Sequence, residues 1–299
     1  MITVIIPVYK NTDLFLKNFL HNLNFLNDCQ IIIVNDNPEK SLINDLNQFK
    51  QIILIENKKN LGFGESVNQG VRLAKNEYIM LLNSDVALND KNYLLAVNYF
   101  NKNDIFAISF AQKEKNNFFV GKNKIYWQDG LFVHKKANNL KFGNNAWAEG
   151  GACVIDKDKF IKLGGFDRLY SPFYWEDIDL SYRAWKSGCK IIFDPKIVVT
   201  HHHESTIGKY FTQEQIKITA YRNQLIFTWK NLTDFRLIIQ HLCYLPLWII
   251  RSIVKRNWFF LIGFLRALII LPKILIEKVV GKKIFIISDD KILSIFKNE

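Results

Sequence analysis

The segment Glu77-Tyr-Ile-Met-Leu-Leu-Asn-Ser-Asp85 sets the architecture. Its apolar run, Tyr78 to Leu82, ends abruptly in Asn83, Ser84 and Asp85. A short apolar run bounded by polar residues reads as a strand buried on both faces. In open α/β sheets ligands collect at the carboxyl ends of the strands, so Asp85 belongs where a ligand sits, with the apolar run as its mount. A carboxylate there suits a hard divalent cation that also holds phosphates, as Mg²⁺ does. A strand-end Asp also serves as a turn or helix-cap residue, and this stretch alone leaves both uses open.

Upstream, the same kind of run recurs. Ile2 to Ile6, Gln30 to Val34 and Ile52 to Ile55 read as strands, with helical patterns between them over Thr12 to Leu26, Ser41 to Phe49 and Leu61 to Ala74. Apolar runs alternating with helical patterns mean βαβ units and a parallel sheet. The first 86 residues therefore read as a nucleotide-binding α/β half. Two polar loops share the edge that carries Asp85: Pro7-Val-Tyr-Lys10 and Asn35-Asp36-Asn37. Asp36 has the chemistry to accept from a pyrimidine N–H or a ribose hydroxyl, and equally that of an Asx-turn residue. The loop Asn60 to Gly70 has a G-x-G without a third glycine and follows the third strand, so it is not a dinucleotide fingerprint. Gly62 and Gly64 let backbone approach a ligand or a neighbour, and Asn68 falls on the following helix.

From Asp90 to Asn145 the pattern is irregular: a helix over Lys91 to Tyr99, a strand over Ile105 to Ala111, then strands and loops with scattered aromatics. Such an excursion over a sheet edge suits an acceptor wall or lid. Beyond it, Ala148-Glu149-Gly150-Gly151 is a turn before a strand, and Glu176-Asp177-Ile178-Asp179-Leu180 opens a helix behind Phe173, Tyr174 and Trp175. Acids in a first turn favour the helix start, yet aromatic crowding also raises a carboxylate's proton affinity toward that of a useful base. Two further strands, Lys190 to Phe193 and Ile197 to Val199, lead into Thr200-His-His-His203. A neutral imidazole there is able to complete a metal site with Asp85, or to be an ordinary core or surface histidine.

These pieces stand in the order of a known family. Val4-Ile-Ile-Pro-Val-Tyr-Lys10, Ile32-Ile-Val-Asn-Asp-Asn37, Asn60-Leu-Gly-Phe-Gly64 with Asn68-Gln-Gly70, and Leu81-Leu-Asn-Ser-Asp-Val86 come first. Gly150-Gly-Ala-Cys153, Gly164-Gly-Phe-Asp167, Glu176-Asp-Ile-Asp-Leu180 and Val199-Thr-His-His202 follow. The chain resembles the family-2 glycosyltransferases, inverting enzymes of the GT-A fold, nearest the rhamnosyltransferase-like branch that builds bacterial cell-surface polysaccharides. The resemblance covers residues 2 to 205. It implies a nucleotide-sugar donor, with Pro7, Tyr9, Asp36, Gly62, Asn68, Asn83 and Ser84 around the nucleotide and Asp36 on the base. It implies Mg²⁺ or Mn²⁺ on the donor diphosphate, held by Asp85 and His201, where the family's first DxD acid is replaced by Asn83. Asp177 takes the place of the general base, with Glu176 and Trp175 on the acceptor side; His202 and His203 remain alternatives to His201.

Composition bounds the rest. The chain has 299 residues, 49% hydrophobic and 23% charged, which is not the balance of a disordered chain. Cys29, Cys153, Cys189 and Cys243 are dispersed, against a zinc ribbon or disulfide scaffold and in keeping with a reducing cytosol. Met1 to Pro7 lacks the features of a secretory leader. The net charge is +12, and residues 205–299 hold 15 Lys and Arg against 6 Asp and Glu.

That tail is expected to be helical. Leu237 to Ile250 and Trp258 to Leu271 are apolar but interrupted by Gln240, His241, Pro246 and Arg266. A spanning helix needs about 20 mostly apolar residues, and a central Arg costs about 2.5–3.5 kcal/mol. The expectation is therefore of helices lying in a membrane interface, with Trp248, Trp258 and Phe259 at the boundary. Arg251, Lys255, Arg256, Arg266, Lys273 and Lys278 would face anionic lipid. Packing on the catalytic domain, or on a second copy in a homo-oligomer, is the other reading. The division expected is a catalytic domain over 1–208 and a helical appendage over 209–299, peripheral on the cytoplasmic face of the membrane. A lipid-linked glycan acceptor would suit it. Direct transfer to a polyprenyl phosphate would call for basic residues where Glu176-Asp177 stands, and a catalytically inactive scaffold would not need Asp85, Asp177 and His201. A nucleic-acid partner is excluded by the apolar character of the tail and the absence of an RRM-like or zinc pattern.

Overall fold

The computed structural model describes residues 1–202 and 206–297; His203 lies outside them. The first half runs β1 (Ile2–Val8), α1 (Thr12–Asn22), β2 (Gln30–Asn35), α2 (Ile43–Leu46), β3 (Ile52–Glu56), α3 (Phe63–Leu73), β4 (Tyr78–Leu82) and β5 (Val86–Leu88). It continues through α4 (Leu95–Tyr99), β6 (Ile105–Lys113), β7 (Phe119–Val120), β8 (Asn123–Gln128), β9 (Leu131–Lys136) and β10 (Gly143–Asn144). The second half comprises β11 (Ala152–Asp156), α5 (Lys157–Lys162), α6 (Glu176–Lys186), β12 (Lys190–His201), α7 (Thr206–Tyr210), α8 (Gln213–Asn231), α9 (Phe235–Val254), α10 (Trp258–Ile269), α11 (Leu271–Lys282) and α12 (Asp289–Ile295).

The main sheet has the order β10-β12-β6-β11-β4-β1-β2-β3. β3, β2, β1 and β4 are mutually parallel, as the alternating strand and helix patterns require. β11 enters antiparallel between β4 and β6, and β12 runs parallel to β6. The arrangement is a mixed α/β sheet whose β3-β2-β1-β4 half is parallel. Side chains alternate across it as pleating demands. In β4, Ile79 and Leu81 face one core while Met80 and Leu82 face the other.

Three local readings need revision. Pro7 does not end β1, which continues to Val8. The β4 ladder has already stopped at Ile5, so a residue without an N–H costs no bond on that side. The helix over Lys91 to Tyr99 is a 3₁₀ turn, Asn92–Leu94, followed by the short α4. The two strands after Gly188 are one strand, β12, with a register shift between Asp194 and Val198. Past that shift the strand stays paired with the end of β6 and takes β5 on its other edge, where His201 stands opposite Val86.

The C-terminal third shares a core with the sheet-bearing part of the chain. α8 contributes Leu225, Ile226 and Phe227 to the core that holds Trp175 and Tyr182. Its polar residues are buried with them. Asp179 on α6 is fully buried and accepts from Arg183 (2.8 Å), Lys230 (2.9 Å), Asn231 (2.8 Å) and the Tyr170 hydroxyl (2.8 Å). Burial alone would raise its proton affinity, but the charges of Arg183 and Lys230 outweigh it and hold the carboxyl well below the usual range. Asp289, the first residue of α12, repeats the device: it accepts from Lys186 (2.9 Å), Tyr182 (2.6 Å) and the backbone of Thr233 and Asp234.

Contrary to the expectation from sequence, α9 is a single helix of 20 residues with a mean hydropathy of 1.6, long and apolar enough to cross a membrane. α10 and α11 pass the same test only together and are bent by 66°. The polar residues that interrupted α9 in sequence are used inside the protein. Gln240 accepts from Trp127 (2.8 Å). His241 bonds Gly130 O through Nδ1 (2.7 Å) and accepts from Trp229 through Nε2 (2.8 Å). Trp248 donates to Asp129 O (2.8 Å). The β8–β9 hairpin thus covers one side of α9, while Leu242, Ile250 and Val254 stay exposed.

Removing one member of a buried ion pair strands its partner's charge and typically costs about 3–5 kcal/mol. Asp179→Ala should lower unfolding free energy by about that amount in urea titration. Glu39→Ala, whose pairing with Lys10 is solvent-exposed, should stay within about 0.5 kcal/mol.

Candidate active site

The parallel register places the ends of β1, β2 and β4 on one edge. Their loops meet β11, α6 and β12 around a cleft of about 600 Å³. Pro7, Tyr9, Asp36, Gly62, Asn83, Ser84, Asp85, Trp175, Glu176, Asp177 and His201 all line it. Of the residues singled out in the sequence, Asn68 does not: its carboxamide is spent on the backbone of Phe166, donating to O at 2.8 Å and accepting from N at 3.0 Å. Asn68 ties α3 to the turn before α6 and is withdrawn as a nucleotide contact.

At the β2 end, Asp36 is buried and accepts from Leu61 N (2.9 Å), Gly62 N (2.8 Å) and Asn57 Nδ2 (2.9 Å). Burial prevails over these bonds and raises its proton affinity. The loop after β3 is thus wrapped around the Asp36 carboxylate, which fixes the floor of the cleft beside Tyr9.

At the β4 end, Asn83 N donates to Gly151 O (2.9 Å), which docks the start of β11 against the strand tip. A Cβ on Gly151 would overlap the Asn83 carboxamide and force that side chain to shift. Asp85 Oδ2 lies 3.3 Å from His201 Nε2, and His202 N donates to Asp85 O (3.0 Å). Burial works against a charged His201 ring, but the bond to Asp85 and its charge outweigh that and raise the pKa. A carboxylate oxygen and an imidazole nitrogen converging on one side of the cleft form a donor pair that fits Mg²⁺ or Mn²⁺, ions that take one or two protein ligands and fill the remainder from phosphate and water. No cluster of three His, Cys, Asp or Glu ligands occurs among the described residues.

The start of α6 also lines the cleft. The preceding loop holds Tyr174 and Trp175 at φ 72° and 76°, left-handed values that each cost a non-glycine residue about 1–3 kcal/mol. Asn223 on α8 offsets this by donating to the carbonyls of Tyr170 (2.9 Å), Phe173 (2.9 Å) and Tyr174 (2.8 Å). Asp177 accepts from Ile178 N (2.8 Å). Burial, with the nearby charge of Glu149, pushes Asp177 up to about 7. Burial and then Asp177 raise Glu176 as well, and Glu176 Oε2 has no partner among the described residues.

Sequence reasoning missed three members of this wall. Glu149 lines the cleft with its carboxylate fixed by Gln112 and by Asn123 (2.9 Å); an acid directly before Gly150-Gly151 was its only signal. His134 lies edge-on to Trp147 (5.3 Å) and Trp175 (4.9 Å), and burial lowers its pKa. Phe211, which packs on Phe173 at 4.7 Å, comes from beyond the expected domain boundary.

The sequence and the fold are similar to those of known proteins. Residues 3–164 match the model for glycosyl transferase family 2, and residues 132–212 match that for the N-terminal domain of galactosyltransferase. The chain is 24% identical to rhamnosyltransferase WbbL of Escherichia coli (strain K12) over 259 residues, covering 80% of this chain and 95% of that protein. The fold is shared with GalNAc-T7 solved with UDP, GalNAc and Mn²⁺ (TM-score 0.61, 15% identity, 76% of this chain and 47% of that one). It is shared also with mannosyltransferase PcManGT of Pyrobaculum calidifontis solved with GDP-Man and Mn²⁺ (TM-score 0.54, 12% identity, 89% and 86%).

The raised Asp177 pKa has a sign that is open to measurement. The folded carboxyl keeps its proton to about pH 7, whereas an unfolded Asp releases it near pH 4. The native state therefore binds more protons between these values, and its stability falls as pH rises through them. Asp177→Asn should have a higher Tm than wild type at pH 8, with the gap closing toward pH 4. Equal Tm differences at both pH values would place the Asp177 carboxyl in ordinary solvent.

Proposed function

The chain belongs to glycosyl transferase family 2, and from that premise we propose that its cleft transfers a sugar from a nucleoside diphosphate donor to a hydroxyl of a glycan acceptor, with inversion, in the synthesis of a cell-surface polysaccharide. The carrying observation is that Asp36, the Asp85–His201 pair and Asp177 border one cleft from different elements. Asp36 and Tyr9 receive the nucleotide of a UDP- or dTDP-sugar. Asp85 and His201 hold Mg²⁺ or Mn²⁺, which when bound neutralises charge on the departing diphosphate.

On the opposite wall, Asp177 takes the proton of the acceptor hydroxyl as its oxygen bonds to the anomeric carbon. The bond from that carbon to the phosphate oxygen breaks in the same displacement, and the nucleoside diphosphate leaves. A base with a proton affinity near neutrality is well matched to this task. Glu176, at the same helix start, stands on the acceptor side. His134, Trp147 and Trp175 offer apolar faces to a sugar ring. A polyprenyl-phosphate acceptor, whose oxygen needs no deprotonation, leaves Asp177 and Glu176 without a task.

The C-terminal helices seat the enzyme on a membrane. α9 lies against the β8–β9 hairpin along its middle, which favours an in-plane helix over a spanning one. Its exposed apolar side continues onto α10 and α11 through Trp258, Leu265, Ile276 and Val279. Arg251, Lys255 and Arg256 flank it, each worth about 1 kcal/mol near anionic lipid. A lipid-linked glycan acceptor follows from this placement.

Asp177→Asn should bind UDP with Mn²⁺ as wild type does and lose about 10²–10⁴ in transfer rate; wild-type turnover would remove Asp177 from the base role. Asp85→Ala should lose the Mn²⁺-dependent part of UDP binding measured by calorimetry. The triple variant Arg251→Glu/Lys255→Glu/Arg256→Glu should float less with phosphatidylglycerol vesicles, and unchanged flotation would refute the lipid contact.

A further inference from the structure

Glu149 is the cleft carboxylate to which the transfer chemistry gives no task. It stands in the turn before β11, half-buried, and lines the cleft. Side-chain amides hold both of its oxygens: Asn123 on β8 donates to Oε1 (2.9 Å) and Gln112 on β6 donates to Oε2. Asn123 and Gln112 are themselves buried. Asn145 secures β8 at this place, accepting from Asn123 N (2.7 Å) and donating to Gly121 O (2.8 Å). Two buried amides spent on one carboxylate fix its direction. Both are neutral, so they orient the charge without cancelling it, and that charge is felt at Asp177 and His201. An ionised carboxylate has about four acceptor positions. The amides occupy two of them, and the carboxylate borders a cleft large enough for a ligand.

The neighbours of Glu149 in the chain give it its place. Gly151 O accepts from Asn83 N (2.9 Å), at the strand tip that carries Asp85. The Asp177 carboxylate draws on the Gly150 N–H. The same short turn therefore touches both the strand tip assigned to the diphosphate and the base. In a single displacement the anomeric carbon lies between the leaving diphosphate and the attacking hydroxyl, so the sugar of a bound donor passes along this turn. Gly150 and Gly151 have no side chain to offer it. Glu149 brings a polar one into the cleft.

We propose that Glu149 reads the donor sugar: its carboxylate accepts from hydroxyls of a neutral hexosyl or deoxyhexosyl group and, being anionic, turns away donors whose sugar carries a carboxylate. This rests on the transferase reading above and names the substrate class of that site. Hydrogen bonds to an ionised acceptor are stronger than those between neutral groups, so sugar hydroxyls gain affinity there. A uronic acid sugar sets a second negative charge against the first, a repulsion that neither amide relieves.

The test titrates nucleotides by calorimetry, with Mn²⁺, into full-length wild type and Glu149→Gln. The probes are UDP, dTDP, UDP-glucose, UDP-galactose, dTDP-rhamnose and UDP-glucuronate. The neutral sugar nucleotide that wild type binds most tightly should lose about tenfold or more in Glu149→Gln, while UDP and dTDP bind the two proteins equally. Wild type should bind UDP-glucuronate about tenfold or more less tightly than UDP-glucose, and the gap should close in Glu149→Gln. Unchanged affinity of every sugar nucleotide in the variant overturns the proposal. A loss of UDP or dTDP in step with their sugars does the same, because it makes Glu149 a support of the fold. The glucuronate comparison in wild type needs no variant, and equal binding of UDP-glucuronate and UDP-glucose there also overturns it. If wild type binds UDP or dTDP while the sugar effects are missing, only this assignment fails; if it binds neither nucleotide, the transferase reading itself fails.

Discussion

The buried carboxylate of Asp179 is the point on which the catalytic wall depends. It stands three residues after Glu176 on the same helix and is gripped by Arg183 from α6 and by Lys230 and Asn231 from α8. A charge this deep is tolerable only when paired and fully hydrogen-bonded, and those partners exist only if α6 and α8 pack in one register. The same packing sets Asn223 under the carbonyls of the loop that enters α6 with left-handed backbone at Tyr174 and Trp175. The start of α6 is thereby fixed from below by charge and from the side by amide bonds, leaving Glu176 and Asp177 directed at the cleft. Rigid support of this kind is what a positioned base requires.

The strand-borne side of the cleft is secured by different means. Asp36 and Asp85 emerge from strands whose register is set by continuous apolar pairing in β1, β2 and β4. His201 reaches Asp85 because the end of β12 pairs with β5, which sets His201 opposite Val86. One side of the cleft thus depends on sheet hydrogen bonds, the other on a buried ion network. The two meet where β11 docks on the β4 tip through Gly151 and Asn83.

Much of this was legible in the sequence, for identifiable reasons. Local signals suffice for β1 to β4, because an apolar run closed by polar residues has few other solutions. The acids at two strand ends and a helix start, Asp36, Asp85 and Asp177, stood out by position, and all three line the cleft. What escaped was whatever depends on distant partners. Lys230 and Asn231 look like solvent-facing residues of a basic tail until Asp179 is placed beside them. Gln240 and His241 look like flaws in an apolar helix until the β8–β9 hairpin receives them. Asn68 fits a nucleotide contact by its order in the chain but spends its amide on Phe166. Residues 213–231 share a core with Trp175 and Tyr182, so composition alone, basic and apolar, concealed a structural support of the cleft within an apparent appendage.

The central claim is that one cleft holds a metal-bound nucleotide diphosphate at Asp85 and His201, with Asp177 across from it. Diffraction from crystals grown with UDP and Mn²⁺, recorded at the manganese absorption edge, measures this directly. The account predicts an anomalous peak in contact with Asp85 and His201, diphosphate density joined to it, the base beside Asp36, and open space between the diphosphate and Asp177. A manganese peak away from Asp85 and His201, or UDP outside this cleft, would contradict it.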